Sequence, residues 1–246
     1  MLVAAAVCPC PPLLVPEVAA GAAPELDAAR AACSDAVAVL AAARPDRLVV
    51  VGLAERDGRG PHPQGSRGSF RGFGVPFDVR LGRSEPEPQG ADQPDDRPER
   101  ELPPSLAVAA WLLERTAWSA SPVEGLGVGE PLAAEQCAQV GRDLAAHAER
   151  VALLVMGDAS ACRTLKAPGY LDERAAGFDA EAARALGAAD VAALMALDVR
   201  LAAELQVAGR APWQVLAGAA EDASLRGQLL YDDAPYGVGY LVAAWS

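Results

Sequence analysis

Histidine and aromatic residues are scarce in this chain of 246 residues. His62 and His147 are its two histidines, so it cannot build a metal site from three histidines or a mechanism with several imidazole bases. Aromatic side chains make up 5% of the sequence, and most of the 52% hydrophobic share comes from Ala, Val and Leu. A chain of this length can bury one ample core, which small aliphatic side chains must fill.

Basic residues are outnumbered by acidic residues: the chain has 21 Lys and Arg against 33 Asp and Glu, which gives a net charge of −12. Binding to nucleic acid or to anionic lipid needs clustered cations, so we expect neither partner. The arginines and phenylalanines between residues 56 and 73 are similar to an RGG-type nucleic-acid segment, but the acidic balance argues against that function.

Long apolar runs and a disulfide framework are missing as well. No stretch reaches about 18 uninterrupted apolar residues, so we expect no membrane span. Five cysteines, an odd number in a chain of this size, favour reduced thiols. The apolar start contains prolines and has no basic residue before Arg30, which argues against a secretory leader. These observations predict a cytoplasmic protein.

Buried apolar runs alternate with amphipathic stretches along the chain. Strands are predicted over residues 2–7, 47–52, 75–81 and 151–157, with a closing pair in RGQLLYDD and YGVGYLVAAW. Helices are predicted over 24–44, 103–117, 132–149, 173–186, 188–197, 199–208 and 212–220. This alternation predicts an α/β fold, a single three-layer αβα domain over residues 1–246 with a mostly parallel central sheet.

Two segments interrupt this pattern. Residues 53–74 form a connection rich in glycine and arginine that is too long to be a simple turn. Residues 83–101 are rich in acidic residues and proline and contain no large apolar side chain, which predicts a disordered or solvated insertion. We do not expect this insertion to contact a functional site.

Ligands of α/β sheets bind at the carboxyl ends of the parallel strands. CPCPP follows the first predicted strand, LAERDGRGPHP the second and GDASACR the third, so we expect these three segments to converge. They supply Cys10, Glu55 and His62 as candidate metal ligands, and Asp158 and Cys162 as candidate catalytic residues. For Asp158 the simpler alternative is a residue that only caps the turn after its strand.

The cysteines allow three interpretations. Cys8 and Cys10 point to the same side of an extended segment, and with Cys162 or His62 they could bind a soft metal such as Cu(I) or Zn(II). Alternatively, Cys8 is a small buried hydrophobe and Cys10 an inert loop residue. A third interpretation makes Cys10 or Cys162 a nucleophile that Arg163 or a helix N-terminus activates.

Three motifs together resemble a known superfamily. The opening strand followed by PPLLVPEV, the segment VMGDASACR after a buried strand, and the closing DDAPYGVGYLVAAW are similar to class III extradiol ring-cleavage dioxygenase B subunits, a superfamily that includes Memo-like proteins. The resemblance covers most of the chain and is greatest to the short actinobacterial proteins of this superfamily. It implies a non-haem Fe(II) site with two histidines and a glutamate, and a further histidine as acid or base.

The sequence departs from that family pattern at the histidines. Cys10 stands where the first histidine is expected, Glu55 stands near the second with His62 a few residues later, and Ala161 replaces the acid–base histidine beside Cys162. Thiolate in place of imidazole softens a metal site, and alanine cannot transfer a proton. Ordinary catechol cleavage is therefore not expected.

Two functions remain open. The resemblance implies an oxidoreductase with a rearranged metal centre, which would hold Fe(II), or Zn or Cu if thiolate is a ligand. The alternative is a non-catalytic protein that retains the fold, binds a small molecule or a partner, and holds no metal. In both cases we expect a small-molecule ligand, aromatic by resemblance, and a homodimer is compatible with either.

Overall fold

The computed structural model describes residues 1–82 and 100–246. Their strands are β1 (Leu2–Cys8), β2 (Arg47–Leu53), β3 (Gly60–His62), β4 (Arg67–Ser69), β5 (Asp78–Arg80), β6 (Val123–Val128), β7 (Val151–Met156), β8 (Gly227–Asp233) and β9 (Tyr240–Trp245). Seven of them form a sheet in the order β3-β6-β2-β7-β1-β9-β8, and β4 pairs with β5 separately. Strands β6, β2, β7 and β1 run parallel, so the predicted mostly parallel sheet is confirmed.

Helices cover both faces of this sheet. They are α1 (Pro16–Ala19), α2 (Asp27–Ala42), α3 (Pro104–Arg115), α4 (Ala134–Ala146), α5 (Ala175–Ala188), α6 (Val191–Met195), α7 (Val199–Glu204) and α8 (Arg210–Ala220). One core lies between the sheet and α2 and α3, and the other lies between the sheet and α4 to α8. The predicted three-layer αβα arrangement is therefore confirmed.

The alternation of side chains along the parallel strands fills both cores. In β1, Ala4 and Ala6 pack towards α2 and α3, whereas Ala5 and Val7 pack towards the opposite helices. Because both faces are covered, these strands are apolar throughout, as is typical of a parallel sheet. Small side chains also let the helices approach closely.

The order of the parallel strands creates a switch point. Strand β7 pairs with both β1 and β2, so it lies between the two strands that are consecutive in sequence. The connections after β1 and β2 lead to α2 and α3 on one face of the sheet, whereas the connection after β7 leads to α5 on the other face. In open α/β sheets a ligand crevice forms where the connections diverge in this way, beyond the carboxyl ends of the strands.

The segment predicted as one long connection contains short strands. Residues 53–74 include β3, which pairs antiparallel with β6, and β4, which pairs with β5. The strand predicted over 75–81 is the shorter β5, and it lies outside the central sheet. The sequence pattern does not predict β3, because this strand forms by backbone pairing of Gly60 to His62 with β6 at the edge of the sheet and has no apolar run.

Strand β6 is missing from the sequence-based prediction because glycines interrupt its apolar pattern. Its sequence is VEGLGV. A side chain at Gly127 would collide with the Gly58 carbonyl and the Ala54 side chain, so glycine lets the connection after β2 lie against this strand. Tertiary packing thus overrides the low strand propensity of glycine.

The predicted insertion at 83–101 lies outside the described residues except for its last two, Arg100 and Glu101, which are exposed. The two closing strands, β8 and β9, pair as expected. All five cysteines are buried and carry free thiols. Among the described residues, no helix is long and apolar enough to cross a membrane.

Candidate functional site

A cavity of about 660 Å³ opens at the carboxyl edge of the sheet. It is bounded by the segments that follow β1, β2 and β6, by the start of α3 and by the approach to α8. Its lining is mainly apolar, formed by Cys10, Leu53, Ala54, Gly58, Pro103, Pro104 and Ala208. This volume is within the range of small-molecule sites, which combine an apolar lining with few polar groups.

Charged residues surround the apolar lining. They are Glu55, Asp57, Arg59, Arg100, Glu101 and Glu130, and Ser105 adds a hydroxyl. Ser105 donates its Oγ–H to the Leu53 carbonyl at 2.6 Å, which attaches the start of α3 to the end of β2. Arg100 and Glu101 belong to the segment that is not expected to contact a functional site, yet both line this cavity.

The segments that follow β1 and β7 are joined directly. The Cys10 backbone N–H donates to Asp158 Oδ1 at 2.8 Å, and the Gly157 N–H donates to the Cys8 carbonyl at 3.0 Å. The Asp158 carbonyl in turn accepts from the Gly209 N–H before α8. Asp158 therefore acts as a link between loops, beside the cavity that Cys10 lines.

Burial makes the Asp158 carboxyl hard to ionise. Loss of hydration raises its pKa from 3.8 to about 7, and the Cys10 N–H offsets only part of this effect. The buried Tyr240 hydroxyl lies nearby, and its own pKa is raised by burial and then by the Asp158 charge. Near neutral pH, Asp158 can thus hold or release a proton, but it does not line the cavity itself.

The thiols of the two candidate nucleophiles are poorly suited to attack. Cys10 lines the cavity, but burial and the neighbouring Asp158 raise its pKa well above 9.0. The buried Cys162 thiol lies 3.5 Å from the Gly169 and Leu205 carbonyls, and burial raises its pKa as well. Neither thiol gains thiolate character, which a cysteine nucleophile requires.

His62 does not face the cavity. It is 1% exposed in β3, and its Nε2 atom lies 2.8 Å from the Gly58 carbonyl and 3.2 Å from Arg100 Nη2. Burial lowers the pKa of its imidazole, and the Arg100 charge lowers it further. The neutral ring can donate Nε2–H to Gly58, which leaves only Nδ1 of its two nitrogens to bind a metal.

The candidate metal ligands do not fit an iron site. Cys10 and Glu55 both line the cavity, but the Cys10 thiol keeps its proton and the His62 ring is bound to backbone. Within residues 1–82 and 100–246, no three His, Cys, Asp or Glu side chains are arranged to hold an ion. Iron of the kind that the family resemblance implies would therefore lack its imidazole ligands here.

The segment after β7 is held by a second polar cluster. Asp179 of α5 is buried and accepts from the Ser160 N–H and Oγ–H, both at 2.8 Å, and from Arg163 Nη1 at 3.0 Å. Ala161, which stands where the family pattern has an acid–base histidine, is buried and donates its N–H to the Leu205 carbonyl. These bonds give the segment GDASACR a structural role.

An arginine outside the predicted site residues lies behind the cavity wall. Arg210, the first residue of α8, is fully buried, and its Nη2 atom lies 3.6 Å from Oε1 of the cavity residue Glu130. Glu130 follows β6 closely, so recognising that strand would have placed Glu130 at the carboxyl edge. No sequence signal marks Arg210, because a basic residue at a helix start is normally solvated.

Comparisons with known proteins add information about the fold alone. No family model and no curated protein matches the sequence. The crystal structure of an uncharacterized protein, JW3007 from Escherichia coli K12, has a TM-score of 0.53 and 14% sequence identity, and the match covers 99% of each chain. The whole architecture is therefore similar to that of a solved protein.

Proposed function

We propose that the chain is a protein of the class III extradiol dioxygenase B-subunit type that retains the fold and binds a small organic molecule, without the iron site of that superfamily. The observation that carries this proposal is the cavity at the carboxyl edge of the sheet. The motifs that resemble the superfamily suggest an aromatic ring as the ligand's body. Leu53, Pro103 and Ala208 offer it apolar contact.

The side chains at the family's histidine positions favour binding over ring cleavage. Cys10 holds its proton because its thiol is buried, and Ala161 has no titratable group. The Nε2 atom of His62 contacts a backbone carbonyl rather than the cavity. With these residues a bound ring has apolar walls and charged neighbours but no imidazole ligand set for iron.

Titration calorimetry with phenol, catechol and benzoate, in buffer containing a chelator, tests this proposal. We expect at least one of them to bind with a Kd of about 1 mM or tighter, as apolar contact with a preformed cavity allows for a ligand of this size. The Ala208→Phe variant, which fills the cavity, should weaken that binding by about tenfold or more.

Ala203→Phe in α7 is the matched control, because Ala203 is exposed and does not line the cavity. It adds the same ring to the protein and should leave affinity unchanged. Equal binding by the wild type and Ala208→Phe would contradict the proposal. The proposal would also be contradicted if the purified protein retained one equivalent of iron and if added Fe(II) raised its melting temperature.

A further inference from the structure

The buried guanidinium of Arg210 is only partly satisfied. Its Nη1 atom donates to the Leu132 carbonyl at 2.5 Å and to Gln214 Oε1 at 3.1 Å. Its Nε and Nη2 atoms are buried without a hydrogen-bond partner among the described residues. Arg210 is 0% exposed, so this unmet donor capacity lies where a lost hydrogen bond is costly.

Glu130 lies next to this guanidinium and also lines the cavity. Its Oε1 atom lies 3.6 Å from Arg210 Nη2, which is too long for a hydrogen bond, and it too has no hydrogen-bond partner in the described part of the chain. The Glu130 side chain as a whole is 36% exposed, and the residue lines the cavity. Rotation of this partly exposed side chain would move its carboxylate away from Arg210 Nη2 and expose that atom towards the cavity side.

The two unpaired donors of Arg210, Nε and Nη2, suit a planar anion. The Nε and Nη2 groups of a guanidinium form a fork that matches the two oxygens of a carboxylate. Arg210 also begins α8, a helix of 11 residues whose first N–H groups add positive potential at this end. Arg100, by contrast, already donates to the Arg59 and Pro61 carbonyls.

We propose that Arg210 is the residue that recognises an anionic group of the cavity's ligand. The ligand would be a small aromatic or apolar carboxylate, whose two oxygens take the place of the Glu130 carboxylate and accept from Arg210 Nε and Nη2. This inference rests on the proposed function, because it assigns the chemistry of the ligand that the cavity binds. The acidic residues at the cavity rim, Glu55, Asp57 and Glu101, would favour a cationic ligand instead. The experiment distinguishes an anionic from a cationic ligand.

The experiment compares three probes with the same ring, namely benzoate, benzamide and benzylamine, by titration calorimetry. Benzoate should bind about tenfold more tightly than benzamide, because only the carboxylate gains a charge-assisted pair with Arg210. In Glu130→Gln, which removes the competing carboxylate, benzoate should bind about threefold more tightly still, while benzamide changes little.

Glu101→Gln is the matched control, since it removes the same charge from the cavity rim without uncovering Arg210. Its effect on benzoate affinity should be clearly smaller than that of Glu130→Gln. Arg210→Lys keeps the charge but loses the fork, so it should reduce the preference for benzoate. Thermal melting shows whether Arg210→Lys, a change at a buried residue, still folds. If it does not fold, the comparison of the wild type with Glu130→Gln still tests the inference.

Binding of benzamide as tight as that of benzoate, in both the wild type and Glu130→Gln, would overturn the inference and leave the proposed function intact. Tighter binding of benzylamine would overturn it in favour of a cationic ligand. Failure of all three probes and of the phenols to bind would overturn the proposed function and this inference together.

Discussion

Asp158 combines a fixed structural contact with a carboxyl whose pKa is raised to about 7. Its Oδ1 atom accepts the Cys10 N–H at 2.8 Å, which joins the segments after β1 and β7. Burial raises its pKa to about 7. The stability of this side of the cavity should therefore depend on pH.

The sign of that dependence follows from the two pKa values. In the unfolded chain Asp158 ionises near its ordinary value of 3.8, whereas in the folded protein it keeps its proton up to about pH 7. Between these values folding takes up a proton, so this residue's contribution to the free energy of unfolding is lost as pH rises from about 4 to about 7. Above that range the contribution is constant.

Asp158→Asn removes this titration but keeps an oxygen that can accept the Cys10 N–H. Urea unfolding of both proteins at about pH 5 and about pH 8 should show that the stability of the wild type relative to the variant decreases as pH rises. A relative stability that increases or stays constant over this range would contradict the pKa shift.

Some site residues could be located from the sequence and others could not. Cys10 and Glu55 directly follow apolar strands, and both line the cavity as the position of strand ends predicts. The orientation of His62 could not be predicted, because it depends on pairing between β3 and β6. Arg210 and Glu130 come together only through tertiary packing, which no local sequence pattern predicts.

At the scale of elements, helices α4 and α8 are in close backbone contact. A side chain at Gly218 would collide with the backbone of Ala138, and one at Gly141 would collide with the Val215 carbonyl. The two helices thus touch through their backbones. This contact sets the position of α8, and with it that of Arg210.

Gly218→Ala should therefore destabilise the protein by about 2 kcal/mol or more, because α4 and α8 must move apart to admit one methyl group. Gly177→Ala is the matched control, since Gly177 lies exposed in α5 with open space around it. It should stabilise by about 0.5–1 kcal/mol through helix propensity and loss of unfolded-state entropy. Chemical denaturation measures both, and a neutral Gly218→Ala would contradict the close contact.

Periodicity predicts most elements but not their neighbours in space. The apolar runs of β1, β2 and β7 and the amphipathic patterns of the longer helices identify those elements. The insertion of β7 between β1 and β2 does not follow from any local pattern. The sequence pattern does not predict strand β6, because its glycines have low strand propensity and lie where neighbouring segments pack closely against the strand.

At the scale of the whole molecule, the architecture does not depend on detailed sequence similarity. The JW3007 structure from Escherichia coli K12 matches 99% of this chain at 14% identity. Covered parallel strands, two apolar cores and a cavity at the carboxyl edge are features of the whole chain rather than of any one motif. Function depends on the few side chains at that edge.

Crystals grown from protein supplied with Fe(II) and soaked with benzoate would test the central claim most directly, with diffraction data collected at the iron absorption edge. We predict ring density in the cavity beside Leu53 and Ala208, and no anomalous peak within bonding distance of Cys10 or Glu55. A peak coordinated by either of these side chains, with the cavity otherwise empty of benzoate, would contradict the proposed function.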